Sequence, residues 1–96
     1  MADIVVTPNA LSDLERLRAF LIDSDPEAAD QTIELILAGL SIIADHPLMG
    51  RPVESNYREL VISRGRSGYL ALYRYDETRG RVLILAVRHQ REAGYV

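Results

Sequence analysis

The stretch Ser41–Ser63, SIIADHPLMGRPVESNYRELVIS, changes its hydrophobic period midway. Upstream of His46 the apolar residues follow a helical spacing. Ala29, Ile33, Ile36, Leu40 and Ile43 recur in alternating steps of four and three, the stripe of a core-facing helix. Pro47 ends that helix, because the residue before a proline disfavours the α conformation. Residues 46–57, with two prolines and a glycine, read as a loop, and His46 reads as a helix-end residue. From Glu59 onward the segments are short, rich in β-branched and aromatic residues, and separated by turn chemistry. One switch from period 3.6 to period 2 therefore divides the chain into a helical half and a sheet half.

Working toward the N-terminus, Asp25-Pro26 followed by Glu27 marks the start of the second helix. Leu11, Leu14, Leu17 and Leu21 predict a first helix, which begins at Thr7-Pro8 and ends near Asp23. Asp3–Val6 reads as a short strand. Working toward the C-terminus, Glu59–Ser63, Tyr69–Tyr75 and Arg81–Arg88 read as strands. SRGRSG and DETRG between them are hairpin turns, so these three strands form an antiparallel meander. The expected order is β-α-α-β-β-β, an α+β fold in which an antiparallel sheet packs against a helical hairpin. At 96 residues a single domain over residues 1–96 is expected.

Composition narrows the function classes. Apolar residues make up 48% and charged residues 26%, which excludes a disordered chain. No cysteine is present, so thiol chemistry, disulfides and thiolate metal sites are excluded. The apolar runs are too short to span a membrane, and Met1 is followed by an acidic, strand-like segment that does not read as a signal peptide. A cytoplasmic location is expected. The two histidines have no matching carboxylate set, and no glycine-rich phosphate loop follows a strand, so no metal and no cofactor are expected.

The net charge of −3 hides a segregation. Residues 1–50 carry two arginines against nine acids, whereas residues 51–96 carry nine arginines against five. All eleven basic residues are arginine. An arginine-rich half suits an anionic partner, since guanidinium pairs bidentately with phosphate or carboxylate. Val82–Val87 is apolar at every position, so this strand is either covered on both faces or awaits a partner. Leu35, Leu37 and Ile42 lie off the core stripe of the second helix and add further apolar surface.

The α-hairpin, then HPLMGRPV, RELVIS, GYLALYRYD and VLILAVRHQRE, together resemble the RelE/ParE superfamily of toxins from bacterial type II toxin–antitoxin modules. The resemblance covers nearly the whole chain. It implies a cognate ParD-like antitoxin, whose C-terminal segment would fold onto the toxin and cover Leu35, Leu37 and Ile42. It also implies one of two targets. RelE-like members cut messenger RNA in the ribosome, for which Arg51, Arg64, Arg66, His89, Arg91 and Tyr95 are the candidate groups. ParE-like members poison DNA gyrase by binding. Arg51, Arg58, Arg64, Arg66, Arg88 and Arg91 would then form a cationic rim, with Tyr95 as an anchor.

Two departures favour the gyrase branch. Leu70 stands where RelE-like nucleases carry a basic residue, and the chain has no lysine. The expectation is thus a non-enzymatic inhibitor, with a metal-independent ribonuclease as the alternative. Blander roles remain open for several residues. Tyr69, Tyr73 and Tyr75 share one strand face and read as packing residues. Arg64 and Arg66 read as solvated turn residues, and Arg51 as a cap on the second helix. His89 reads as a partner for a backbone carbonyl, and the tail as a disordered end.

Overall fold

A computed structural model describes residues 1–64, 67–92, 94 and 95, with only the backbone at Arg64 and Ser67. The elements are β1 Asp3–Val6, α1 Pro8–Ile22, α2 Pro26–Asp45, β2 Arg51–Pro52, a 3-10 turn Glu54–Asn56, β3 Tyr57–Arg64, β4 Ser67–Asp76 and β5 Arg81–His89. Both helices start as the sequence requires. Thr7 and Asp25 accept hydrogen bonds from Ala10 and Ala28 N–H, and Pro8 and Pro26 open the first turns. His46 caps the end of α2, its N–H donating to Ile42 O.

The five strands form one sheet in the order β1-β5-β4-β3-β2. β2 to β5 pair antiparallel, as the short connections demand. β1 instead pairs with β5 in parallel, Asp3 opposite Arg81 through Val6 opposite Ile84, so the sheet is mixed rather than wholly antiparallel. The reason is the helical hairpin, which carries the chain from β1 across one face of the sheet before the meander begins. Pairing also extends into the expected loop, where Arg51 and Pro52 face Glu59 and Arg58. The turn between β4 and β5 closes with Gly80 at φ 63°, a left-handed conformation that suits glycine.

The core lies between the helices and one face of the sheet. Ala10, Leu14 and Leu17 of α1 and Ile36, Leu40 and Ile43 of α2 meet Ile62, Tyr69, Ala71, Tyr73, Val82, Ile84 and Val87. Leu11, expected in the α1 stripe, is 52% exposed, and Ala10 and Asp13 are buried instead. The tyrosine stripe packs as its spacing implied. Tyr69 and Tyr73 are buried, and Tyr75 packs partly against the same cluster. Tyr73 is fully enclosed. Its Oη accepts from Gly50 N–H at 2.8 Å and donates to Pro47 O at 2.7 Å, which fastens the loop after α2 to the middle of the sheet.

β5 carries a β-bulge. Tyr73 faces Ile84 while Leu72 faces Ala86, which leaves Leu85 as the extra residue. The bulge reverses the alternation along the strand. Val82 and Ile84 point to the helices before it, and Val87 and His89 do so after it. The apolar run Val82–Val87 is therefore explained in part by this phase change. Leu83 and Leu85 are half-buried on the other side. Among the described residues, no helix is long and apolar enough to cross a membrane.

Candidate functional site: the outer face of the sheet

The face of the sheet turned away from the helices is built by alternation. Leu60 and Ile62 pack on the core, so Glu59 and Val61 of β3 point outward. Register carries the same face across the sheet, from Glu59 through Leu72 to Ala86 and from Val61 through Leu70 to Arg88. Arg51 of β2 joins it, being the partner of Glu59.

Three of these outward groups, Arg51, Glu59 and Arg88, form a chain of contacts with Tyr95. Arg51 donates from Nε and Nη2 to Glu59 Oε1, at 3.1 and 2.5 Å. Tyr95 Oη donates to Glu59 Oε2 at 2.6 Å. The Arg88 guanidinium lies over the Tyr95 ring, 5.1 Å from its centroid, and Arg88 Nη1 donates to Glu92 O at 2.6 Å. Tyr95 is thus held over the sheet, where an ordinary disordered end was one of the expectations. The Glu59 side chain is 7% exposed, whereas that of Arg51 is 69% exposed.

The environment pushes the two ionisable partners apart. Burial alone would raise the Glu59 carboxyl. Hydrogen bonds from Tyr95 and Arg51 and the positive charges of Arg51 and Arg88 outweigh burial and hold it below the usual carboxylate range. Burial pushes the Tyr95 phenol up, and its hydrogen bond to the Glu59 carboxylate pushes it further, well above the ordinary tyrosine value. Near neutral pH the pair is a carboxylate held by a protonated phenol and a guanidinium. Neither group is poised to exchange a proton there.

The other candidates lie elsewhere. His89 follows the bulge and points to the helix side, where its ring meets Tyr69 edge-on with centroids 5.1 Å apart. Its Nδ1 accepts the Arg91 N–H at 3.0 Å, so it serves a backbone donor rather than a carbonyl. His89 and Arg91 line a groove of ≈ 620 Å³ with Leu17, Phe20 and Leu21, on the side of the sheet opposite Tyr95. Arg58 shares a face with Tyr73, and its Nη1 donates to Leu48 O and Gly50 O at 3.1 and 2.8 Å. It is Arg58, not Arg51, that holds the segment after α2; the expectation of Arg51 as a helix cap is corrected by its pairing with Glu59. Arg66 and the Arg64 side chain lie outside the described residues. Among the described residues of the expected cationic rim, Arg51 and Arg88 are brought together on this face.

Two residues of the face escaped the sequence reading. Glu59 was given no role by the sequence beyond opening the strand Glu59–Ser63. The signal for it was its place two residues before Val61 and opposite Arg51 once the loop pairs. Arg74 alternates with Leu70 and Leu72 and faces the same way, exposed beside Tyr57. Leu70 is 7% exposed, set between Val61 and Arg88, so the position after the Gly68-Tyr69 pair offers apolar contact only. On α2, Leu37 and Ile42 are each 45% exposed, whereas Leu35 is half-buried against the core.

Comparison with known proteins agrees with this architecture. The family model described as the ParE toxin of the type II toxin–antitoxin system parDE matches residues 4–94. The chain is 39% identical over 93 residues to toxin RelE3 of Caulobacter vibrioides, covering 96% of this chain and 98% of that protein. It is 35% identical over 71 residues to toxin RelE1 of the same organism, covering 74% and 76%. In fold it is similar to a chain of the chromosomal ParDE toxin–antitoxin system from P. aeruginosa, with a TM-score of 0.78 at 22% identity over 93% of this chain and 96% of that one. It is also similar to a chain of the RelBE2 toxin–antitoxin complex from Mycobacterium tuberculosis, with a TM-score of 0.63 at 24% identity over 95% and 93%. With the helical hairpin, the meander and the matched family in agreement, this chain belongs to the ParE toxin family of type II toxin–antitoxin systems, within the RelE/ParE superfamily.

Proposed function

We propose that this toxin acts by binding, as a ParE-like poison of DNA gyrase, and that a cognate antitoxin in the cytoplasm neutralises it. One observation carries the reading. The groups that a nuclease of this superfamily would have to bring together are split between the two sides of the sheet. Arg51 and Tyr95 lie on the outer face, while His89 and Arg91 line the helix-side groove. The outer face offers instead two arginines, an aromatic ring and the exposed apolar side chain of Val61, with Leu70 buried beneath them. That combination suits a grip on a macromolecule. The antitoxin segment would cover α2 at Leu35 and Ile42 on one flank and at Leu37 on the other.

The second reading is the ribosome-dependent ribonuclease. The names of the two Caulobacter relatives favour it. Purified toxin, incubated with gyrase, supercoiled plasmid and ATP and stopped with detergent and protease, separates the two. Linear DNA is expected. Unimpaired supercoiling without linear DNA, together with cut messenger RNA on translating ribosomes, would replace the first reading by the second.

A further inference from the structure

β1 ends at Val6, but β5 runs on to His89, and their pairing stops at Val6 opposite Ile84. Among the described residues, no strand lies beside this edge of β5 beyond that point, and an open edge presents unpaired N–H and C=O groups. Side chains take the place of a strand. Thr7 Oγ1 donates to Ile84 O at 2.7 Å and Asn9 Nδ2 to Leu85 O at 2.8 Å. Asp13 Oδ2 accepts the Val87 N–H at 2.9 Å, and Glu92 Oε1 accepts the His89 N–H at 2.9 Å. Arg16 ties the two carboxylates together, with Nη1 2.8 Å from Glu92 Oε2 and Nη2 3.6 Å from Asp13 Oδ1. Asp13 is 3% exposed, so it is not a solvated helix acid.

These contacts flank the bulge at Leu85. In an unbroken strand Arg88 would share the face of Val82 and Ile84 and point to the helices. The extra residue reverses that, and Arg88 reaches the outer face opposite Leu70. Glu92, from its side, holds the turn that brings Tyr95 back over Glu59.

We propose that Asp13, Arg16 and Glu92 form a positioning clamp that fixes the β5 bulge and the C-terminal turn, and so places Arg88 and Tyr95 together on the outer face. The functional part of this inference rests on the reading of that face as the target surface; the structural part does not. None of the three residues belongs to the gripping set itself.

The test uses the full chain and two readouts. One is the nuclear Overhauser contact between the Arg88 side chain and the Tyr95 ring, with that between the Tyr69 and His89 rings. The other is growth arrest after induction without antitoxin. Asp13→Asn keeps an acceptor oxygen for Val87 and should retain both contacts and full toxicity. Asp13→Ala and Glu92→Ala should lose the Arg88–Tyr95 contact and at least tenfold in growth arrest. Deleting Leu85 in the Asp13→Ala chain removes the extra residue while leaving Arg88 outward, and should restore both. If the alanine variants keep the Arg88–Tyr95 contact and wild-type toxicity, the clamp is overturned. Should Asp13→Ala fail to fold, Glu92→Ala in the surface turn decides alone. A wild-type chain that does not arrest growth would remove the proposed function, and the ring contacts would still decide the clamp.

Discussion

Glu59 and Tyr95 show what a single contact does to a site's chemistry. The carboxyl is held below its ordinary value of 4.5 and the phenol above its ordinary value of 10.0. For the depressed carboxyl, the stabilisation is fully present above the unfolded value and fades as pH falls through the folded one. For the raised phenol, it is fully present below the unfolded value and fades as pH climbs toward the folded one. Tyr95→Phe should therefore lower stability by a constant amount between pH 5 and 9, and by less on either side, as read by urea unfolding across pH. Tyr73→Phe should cost more. It leaves the buried Gly50 N–H and the Pro47 carbonyl without partners, a loss of about 1–3 kcal/mol in the same measurement. The two tyrosines differed in legibility for a physical reason. Tyr73 sits in a period-2 stripe, which sequence displays. Tyr95 depends on a carboxylate 36 positions away, which no local pattern shows.

At the scale of elements, the helices and the meander were readable because each carries its own punctuation. Pro8 and Pro26 start the helices, Pro47 follows α2 closely, and the turn sequences separate the strands. Two features were not readable. The parallel pairing of β1 with β5 depends on where the hairpin returns the chain, and the bulge at Leu85 leaves a continuous apolar run unchanged in appearance. Close packing between α2 and the sheet gives a further prediction. A Cβ at Gly39 would stand 2.8 Å from Ile62 Cδ1 and 2.9 Å from its Cγ1. Gly39→Val should therefore destabilise the fold by about 1–3 kcal/mol through overpacking, seen as a lower denaturation midpoint. The exposed side of α2 bears on partner binding. Leu37→Ser with Ile42→Ser should leave stability within about 0.5 kcal/mol but weaken antitoxin binding tenfold or more by calorimetry.

Over the whole molecule, several of the arginines visible in the sequence are engaged by nearby carboxylates on folding, while only the Arg16–Glu92 pair among these joins the two halves. Arg51 pairs with Glu59, Arg79 and Arg81 approach Asp76, and Arg16 reaches across the chain to Glu92. What stays on the outer face is Arg88 over Tyr95, the exposed flank of Arg51, and Arg74 at the far end of the same face. The helices pack behind this surface, and the groove with His89 lies on their side of the sheet. A binding toxin and a cutting toxin would respond differently to loss of the imidazole. The most direct measurement is the gyrase cleavage-complex assay on the wild type, His89→Ala and Arg88→Ala. Linear DNA is expected with the wild type, undiminished linear DNA with His89→Ala, and at least a tenfold loss with Arg88→Ala. No linear DNA from the wild type, with messenger RNA cleavage that disappears in His89→Ala, would contradict action by binding.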